Sequence, residues 1–263
     1  MTDLERTVLI TGSNRGIGLE FVKQYLLINW EVIATCRNPD AADDLIQLEK
    51  NHSNLKLKSL DITQDKSVND LAIQLKEKPI DLLINNAAYL GPPGPQKFGQ
   101  IDYKMFTKSI EVNAIGPIRV TEKLIENIRL GNMKKIVFLG SAAGSNGQIA
   151  PPVTLYSYRT SKAALHLAAH NLFHELKSEN IMVSLINPGL VDTRGFLDLK
   201  LGDPIPEHLT KIVPITLIQM ILEGKIPMIT TLESVTQMIQ YIDNLTLDTE
   251  PFFVNCDGTP MPW

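Results

Sequence analysis

The chain has 263 residues, 44% of them hydrophobic and 21% charged, with a formal net charge of -4, enough for one large core in a water-soluble globular protein. The acidic balance gives no basic footprint for nucleic acid, no apolar run approaches the roughly 20 residues of a membrane span, and Cys36 and Cys256 supply neither a disulfide framework nor a paired metal spacing. A first strand at Thr7-Val8-Leu9-Ile10 leaves no room for a secretory leader, so a cytoplasmic protein with no membrane or nucleic-acid partner is expected.

In chain order, short β-branched runs alternate with longer amphipathic stretches. Strands are predicted at Thr7–Thr11, Glu31–Cys36, Leu55–Leu60, Ile80–Asn85, Lys135–Gly140 and Met182–Asn187. Helices are predicted between them, at Gly16–Ile28, Asp40–Asn51, Lys66–Lys76, Tyr103–Leu130 and Tyr158–Ser178. Val8-Leu9-Ile10 and Leu82-Leu83-Ile84 are apolar on both faces, as expected when helices cover both sides of a sheet. The alternation predicts an α/β fold, a doubly wound parallel sheet of the Rossmann kind. A seventh strand is predicted at Phe252-Phe253-Val254, before an Asp257-Gly258 turn. Between Gly189 and Thr230 the rhythm breaks at Pro204, Pro206, Pro214 and Pro227. That stretch reads as a lid over the carboxyl ends of the strands, with helices at Pro206–Val213 and Ile215–Glu223. Gly91-Pro92-Pro93-Gly94-Pro95 is a second irregular stretch. Nothing marks a linker, so a single domain is expected over residues 1–263.

The turn from the first strand into the first helix is Gly12-Ser13-Asn14-Arg15-Gly16-Ile17-Gly18. Glycines there let backbone approach a pyrophosphate, and the helix N-terminus offers N–H groups to its charge. An NAD site would place an acid at the end of the second strand to meet the ribose 2′-hydroxyl. Here Cys36 stands there, followed by Arg37, with Arg15 in the glycine loop. Two guanidiniums and no carboxylate suit a 2′-phosphate, so NADP(H) is the expected cofactor. Asp61 could accept from the adenine amino group beside the Ile62 backbone, or could cap the helix that follows. Asn85-Asn86-Ala87 would line the cofactor and pin adjacent strands through side-chain amides.

Tyr158 and Lys162 lie four residues apart, one helical turn, so a cation can favour ionisation of the phenol. A phenol so tuned exchanges protons with a carbonyl or alcohol oxygen. Ser141, at the end of the fifth strand, can converge on Tyr158 in the crevice beyond the carboxyl ends. Asn113 is an odd choice for a helix interior, useful there if its amide holds a water or opens a backbone carbonyl. His166, His170 and His174 continue the spacing of four, but the series drifts round the helix towards solvent and no His-Glu-x-x-His pattern accompanies it. No metal is expected.

Thr11–Gly18, Asn85–Ala87, Asn113, Ser141, Tyr158–Lys162 and Pro188-Gly189 together resemble the short-chain dehydrogenase/reductase family. Asn14-Arg15-Gly16, Thr35-Cys36-Arg37-Asn38 and the tail Val254–Pro260 are similar to sniffer-type carbonyl reductases and C-factor proteins. The resemblance implies Tyr158 as acid/base, Ser141 as the group polarising a substrate carbonyl, and Asn113 as holder of a relay water. It implies that Lys162 binds the nicotinamide ribose and lowers the tyrosine pKa. Pro188, Gly189, Val191 and Thr193 would contact the nicotinamide end. Ala88 departs from the glycine usual after Asn-Asn-Ala, which should narrow the cofactor site. The expected function is NADPH-dependent reduction of a small-molecule carbonyl, an apolar one given the lid. The rival is an NADP-binding signalling or sensor protein of the C-factor type. Ala164, Leu167, Ala168 and Leu172 form a second apolar face on the Tyr158 helix, which invites a homo-oligomer unless a neighbouring helix covers it.

Overall fold

A computed structural model describes residues 6–91, 96, 98–148, 155–210 and 215–263. Its central sheet has seven strands in the order β3-β2-β1-β4-β5-β6-β9. These are β1 (Thr7–Thr11), β2 (Glu31–Cys36), β3 (Leu55–Ser59), β4 (Leu82–Asn85), β5 (Lys135–Leu139), β6 (Met182–Asn187) and β9 (Phe253–Asn255). All six pairings are parallel. Alternating residues of β1 explain its uniform apolarity. Val8 and Ile10 enter the core on one face, and Leu9 enters the core on the other.

The first core lies against α1 (Gly16–Leu27), which contributes Phe21, Val22 and Tyr25, and against α9 (Thr231–Asp243), which contributes Val235, Met238, Ile239 and Ile242. The sequence expectations contain no helix at α9. It starts at a capping box: Thr230 Oγ accepts from Glu233 N at 3.1 Å, and Glu233 Oε2 accepts from Thr230 N at 2.8 Å. Each of its four core side chains gains ~1.5–3 kcal/mol on burial, so packing rather than propensity holds this helix.

The second core lies against α3 (Asp65–Gln74), α5 (Gly116–Leu130) and α6 (Tyr156–Leu176), with Leu71, Leu124, Leu165 and Phe173 among its members. The single helix expected over Tyr103–Leu130 is interrupted. α4 (Tyr103–Ile110) passes through a π-helical turn, Glu111–Ile115, into α5. The helix expected from Asp40 is a short 3-10 turn, Pro39–Ala41, followed by α2 (Asp43–Asn51). β4 starts two residues later than expected; just before it, the Asp81 carboxylate accepts from Thr7 N at 2.9 Å and Asn132 N at 2.8 Å.

Between β6 and α9 lie β7 (Val191–Asp192), α7 (Glu207–Thr210), α8 (Ile215–Leu222) and β8 (Ile229–Thr230). β7 and β8 pair with each other, apart from the main sheet. Phe196, Leu209 and Ile218 form a small core of this lid. The last part of the helix expected at Pro206–Val213, and Pro92–Pro95 of the second irregular stretch, fall outside the described residues. No described helix is long and apolar enough to cross a membrane.

Candidate active site

A crevice of about 1150 Å³ opens beyond the carboxyl ends of the strands, its floor formed by the turn from β1 into α1. Gly12 has φ +67°, and a Cβ there would come within 2.8 Å of Ala87 Cα. A Cβ on Gly18 would collide with Gly12 O and Asn86 Nδ2. Both positions therefore need glycine, and both bring the loop against the end of β4. Thr11 Oγ accepts from Asn86 N and Ala87 N, each at 3.0 Å, while Asn86 Nδ2 donates to Thr11 O at 2.8 Å and Gly12 O at 3.0 Å. These bonds clamp the glycine loop to β4. α1 begins at Gly16 with no side-chain cap and no acid in its first turn, so its N–H groups face the crevice free to meet an anion.

Gly12, Asn14, Arg15, Gly16, Ile17, Arg37, Asp61, Ile62, Asn86 and Ala87 all line the crevice, together with Tyr158, Lys162, Pro188 and Thr193. Four other expected cofactor residues stand behind it. Ser13 is buried and donates to Ile10 O at 2.7 Å, Gly18 packs under Gly12, and Val191 belongs to β7. Gly189, at φ +86°, packs beside Ile229 of β8. Asp61 does not cap α3; its Oδ1 accepts from Thr63 N at 2.9 Å and Thr63 Oγ at 2.7 Å, fixing a turn. Cys36 is buried at the end of β2, and burial pushes its thiol pKa up, so it brings no negative charge beside Arg37. Arg194 also lines the crevice and is absent from the sequence expectations. It lies near Arg15, since Arg15's charge, after burial, holds its pKa down. Its direction is set by Asp192, whose Oδ1 accepts from Arg194 N and Gly195 N at 2.8 Å each.

Tyr158 and Lys162 line the far side of the crevice, and the Ser141 side chain lies close enough to the Tyr158 hydroxyl to influence its ionisation. Burial pushes the phenol pKa up, and the Ser141 side chain pulls it partly back. Lys162 is 3% exposed and donates to Leu139 O at 2.7 Å. Burial pushes its pKa down to about 8. Its ammonium sits 5.9 Å from the Tyr158 ring centroid. Burial is the largest influence on both groups, raising the phenol pKa and lowering that of the ammonium.

Asn113 sits in the π turn and is fully buried. Its Oδ1 accepts from Tyr89 N at 2.7 Å, and its Nδ2 donates to Tyr89 O at 2.8 Å and Ser161 Oγ at 2.9 Å. Both N–H groups are committed, so the amide braces the loop after β4 against α6 rather than donating to a water. His166 is buried, His170 half-buried and His174 exposed, and the last two meet with their Nε2 atoms 3.1 Å apart. His166 Nε2 accepts from Ser141 N at 3.3 Å, a contact the sequence does not announce. Among the described residues, no group of three His, Cys, Asp or Glu could hold a metal ion.

The family model described as short chain dehydrogenase matches residues 6–200. An oxidoreductase of Schizosaccharomyces pombe is 32% identical over 262 residues, covering 97% of this chain and 96% of that protein. The C-signal of Myxococcus xanthus is 29% identical over 186 residues, 70% of this chain and 93% of that protein. Among solved structures, NADPH-bound carbonyl reductase from chicken fatty liver superposes with a TM-score of 0.79 at 28% identity, over 98% of this chain and 99% of that one. The carbonyl reductase Sniffer of Drosophila melanogaster superposes with a TM-score of 0.78 at 25% identity, over 99% of this chain and 100% of that one.

Proposed function

Because the chain belongs to the short-chain dehydrogenase family, we propose that this oxidoreductase reduces a carbonyl compound to an alcohol with NADPH. The observation that carries the reading is the half-buried Tyr158, its hydroxyl beside the Ser141 side chain, with the Lys162 ammonium one helical turn on and both Tyr158 and Lys162 lining one crevice.

Gly12, Asn14 and the free N–H groups at the start of α1 would hold the pyrophosphate, Arg15 and Arg37 the 2′-phosphate, and Lys162 the nicotinamide ribose. The nicotinamide supplies a hydride. The protein's own task is the proton. A phenol with a raised pKa keeps its proton at neutral pH and releases it to a stronger base, the oxygen of a carbonyl gaining negative charge. Ser141 Oγ hydrogen-bonds that same oxygen, stabilising charge as it develops. Lys162 spends one of three N–H donors on Leu139 O and keeps two for the ribose. The lid has its own small core of Phe196, Leu209 and Ile218, and closed over the crevice it would favour an apolar substrate and keep water from the reacting atoms.

Tyr158→Phe should lower kcat about 10²–10⁴-fold while leaving NADPH affinity intact, read from NADPH oxidation with a panel of aldehydes, ketones and quinones. Turnover retained by the variant would remove Tyr158 from the reaction. Similarity to the C-signal favours a second reading, a nucleotide-binding signalling protein with little turnover. That reading requires tight NADPH binding by the wild-type protein with no oxidation across the same panel.

A further inference from the structure

Among the described residues, His166 is a buried titratable side chain beside the candidate catalytic groups that the proposed chemistry leaves without a task. It lies one turn beyond Lys162 on α6, is 2% exposed, and points at the backbone that carries Ser141. Its Nε2 accepts from Ser141 N at 3.3 Å. The loop after β5 is shaped around the ring: a Cβ on Gly140 would lie 3.1 Å from His166 Nε2, and one on Gly144 would lie 2.8 Å from its Cε1. Phe253 closes the other side, with ring centroids 4.6 Å apart.

Acceptance at Nε2 puts the ring proton on Nδ1, which is buried without a hydrogen-bond partner among the described residues. The imidazole must be neutral in this arrangement, because a protonated ring has no acceptor to offer. The surroundings enforce that state: burial first, then the charge of Lys162, hold its pKa down to about 3. A leucine would fill this apolar slot without leaving a donor unpaired. What a leucine cannot do is hold the Ser141 amide.

We propose that His166 is a positioning residue: its neutral Nε2 fixes the Ser141 backbone so that the serine hydroxyl stays beside the Tyr158 hydroxyl. Two contacts act on Ser141 itself and a third on its neighbour Ala142. Ser141 N is held by His166, Ser141 Oγ accepts from Ala143 N at 3.2 Å, and Ala142 N is held by Asn187 Oδ1 at 3.1 Å. Loss of the first frees the residue whose side chain does the polarising. The inference rests on the carbonyl-reduction reading, since it assigns His166 to the serine that acts in it.

The test is a cycle of His166→Leu and His166→Gln, each made alone and with Ser141→Ala. Glutamine can place an amide oxygen near the Nε2 position and accept the same N–H. NADPH binding by fluorescence titration reports that each variant folds. His166→Leu should lower kcat about tenfold, ~1.4 kcal/mol of barrier, with an unchanged NADPH dissociation constant. His166→Gln should recover most of that loss. Neither change should lower kcat further in the Ser141→Ala background, because the residue acts through Ser141. Wild-type kcat in His166→Leu, or an equal fall in both serine backgrounds, would overturn the role. If the leucine variant does not fold, a glutamine variant that loses as much with Ser141→Ala as without it overturns the role equally. A wild-type protein that oxidises NADPH with no carbonyl would sink the proposed function as well, an outcome distinct from one in which wild type and His166→Leu turn over alike.

Discussion

Replacing Lys162 by methionine should stabilise the folded protein while abolishing its turnover. The lysine is 3% exposed, and burial brings its pKa from the ordinary 10.5 down to about 8. That drop corresponds to roughly 3 kcal/mol of penalty for holding an ammonium in the core. Methionine keeps most of the aliphatic stem but gives up the 2.7 Å bond to Leu139 O, about 2 kcal/mol for a charged donor. The balance is a gain of roughly 1 kcal/mol at pH 7. The pH dependence follows from linkage. Between about pH 8 and 10.5 the folded lysine has lost its proton and the unfolded one retains it, so the unfolded state binds more protons and stability rises with pH. The burial penalty is complete below pH 8 and gone above 10.5. Urea titrations of both proteins at pH 7, 9 and 10 check this. The variant should be the more stable at pH 7, and its advantage should shrink as pH rises. A variant less stable at pH 7, by an amount that does not change with pH, would refute the claim that desolvation governs this group. Loss of turnover alongside the gain is the expected cost of a functional charge in an apolar setting.

Arg15→Ala and Arg37→Ala should each weaken NADPH binding about fivefold, roughly 1 kcal/mol for an exposed charged contact, and leave NADH binding unchanged. Fluorescence titration with the two nucleotides decides it; equal losses for both would mean that the arginines do not meet the 2′-phosphate. Leu167 is 62% exposed on α6, beside a groove lined by Ile110, Ile118, Ala164 and Ala168. Light scattering on a sizing column should give an oligomer for wild type and a monomer for Leu167→Asp, and a wild-type monomer would end the oligomer expectation.

The parallel sheet was readable because its strands are buried on both faces, leaving uninterrupted Val, Ile and Leu runs such as Val8-Leu9-Ile10. Tertiary bonds are invisible to local pattern: the Asp81 carboxylate, just before β4, bonds backbone amides 74 and 51 residues away. α9 carries the sequence signals of a helix, Thr230-x-x-Glu233 followed by an apolar stripe at Val235, Met238, Ile239 and Ile242. The irregular lid is expected to end at Thr230, and no element is expected between it and the strand at Phe252. The π turn at Glu111–Ile115 left only one trace in the sequence, a buried-type amide in a helical register, and Asn113 is that trace.

For the site, spacing conveys identity but not protonation. Tyr158 and Lys162 are recognisable because one helical turn separates them, and the same spacing suggests that the cation depresses the phenol. Burial is a property of everything packed around the pair, so no local pattern contains it, and here it raises the tyrosine and lowers the lysine. His166 shows the same limit. Its spacing from Lys162 invites a metal reading, while its actual partner is a backbone amide 25 residues earlier that only the folded sheet brings within reach.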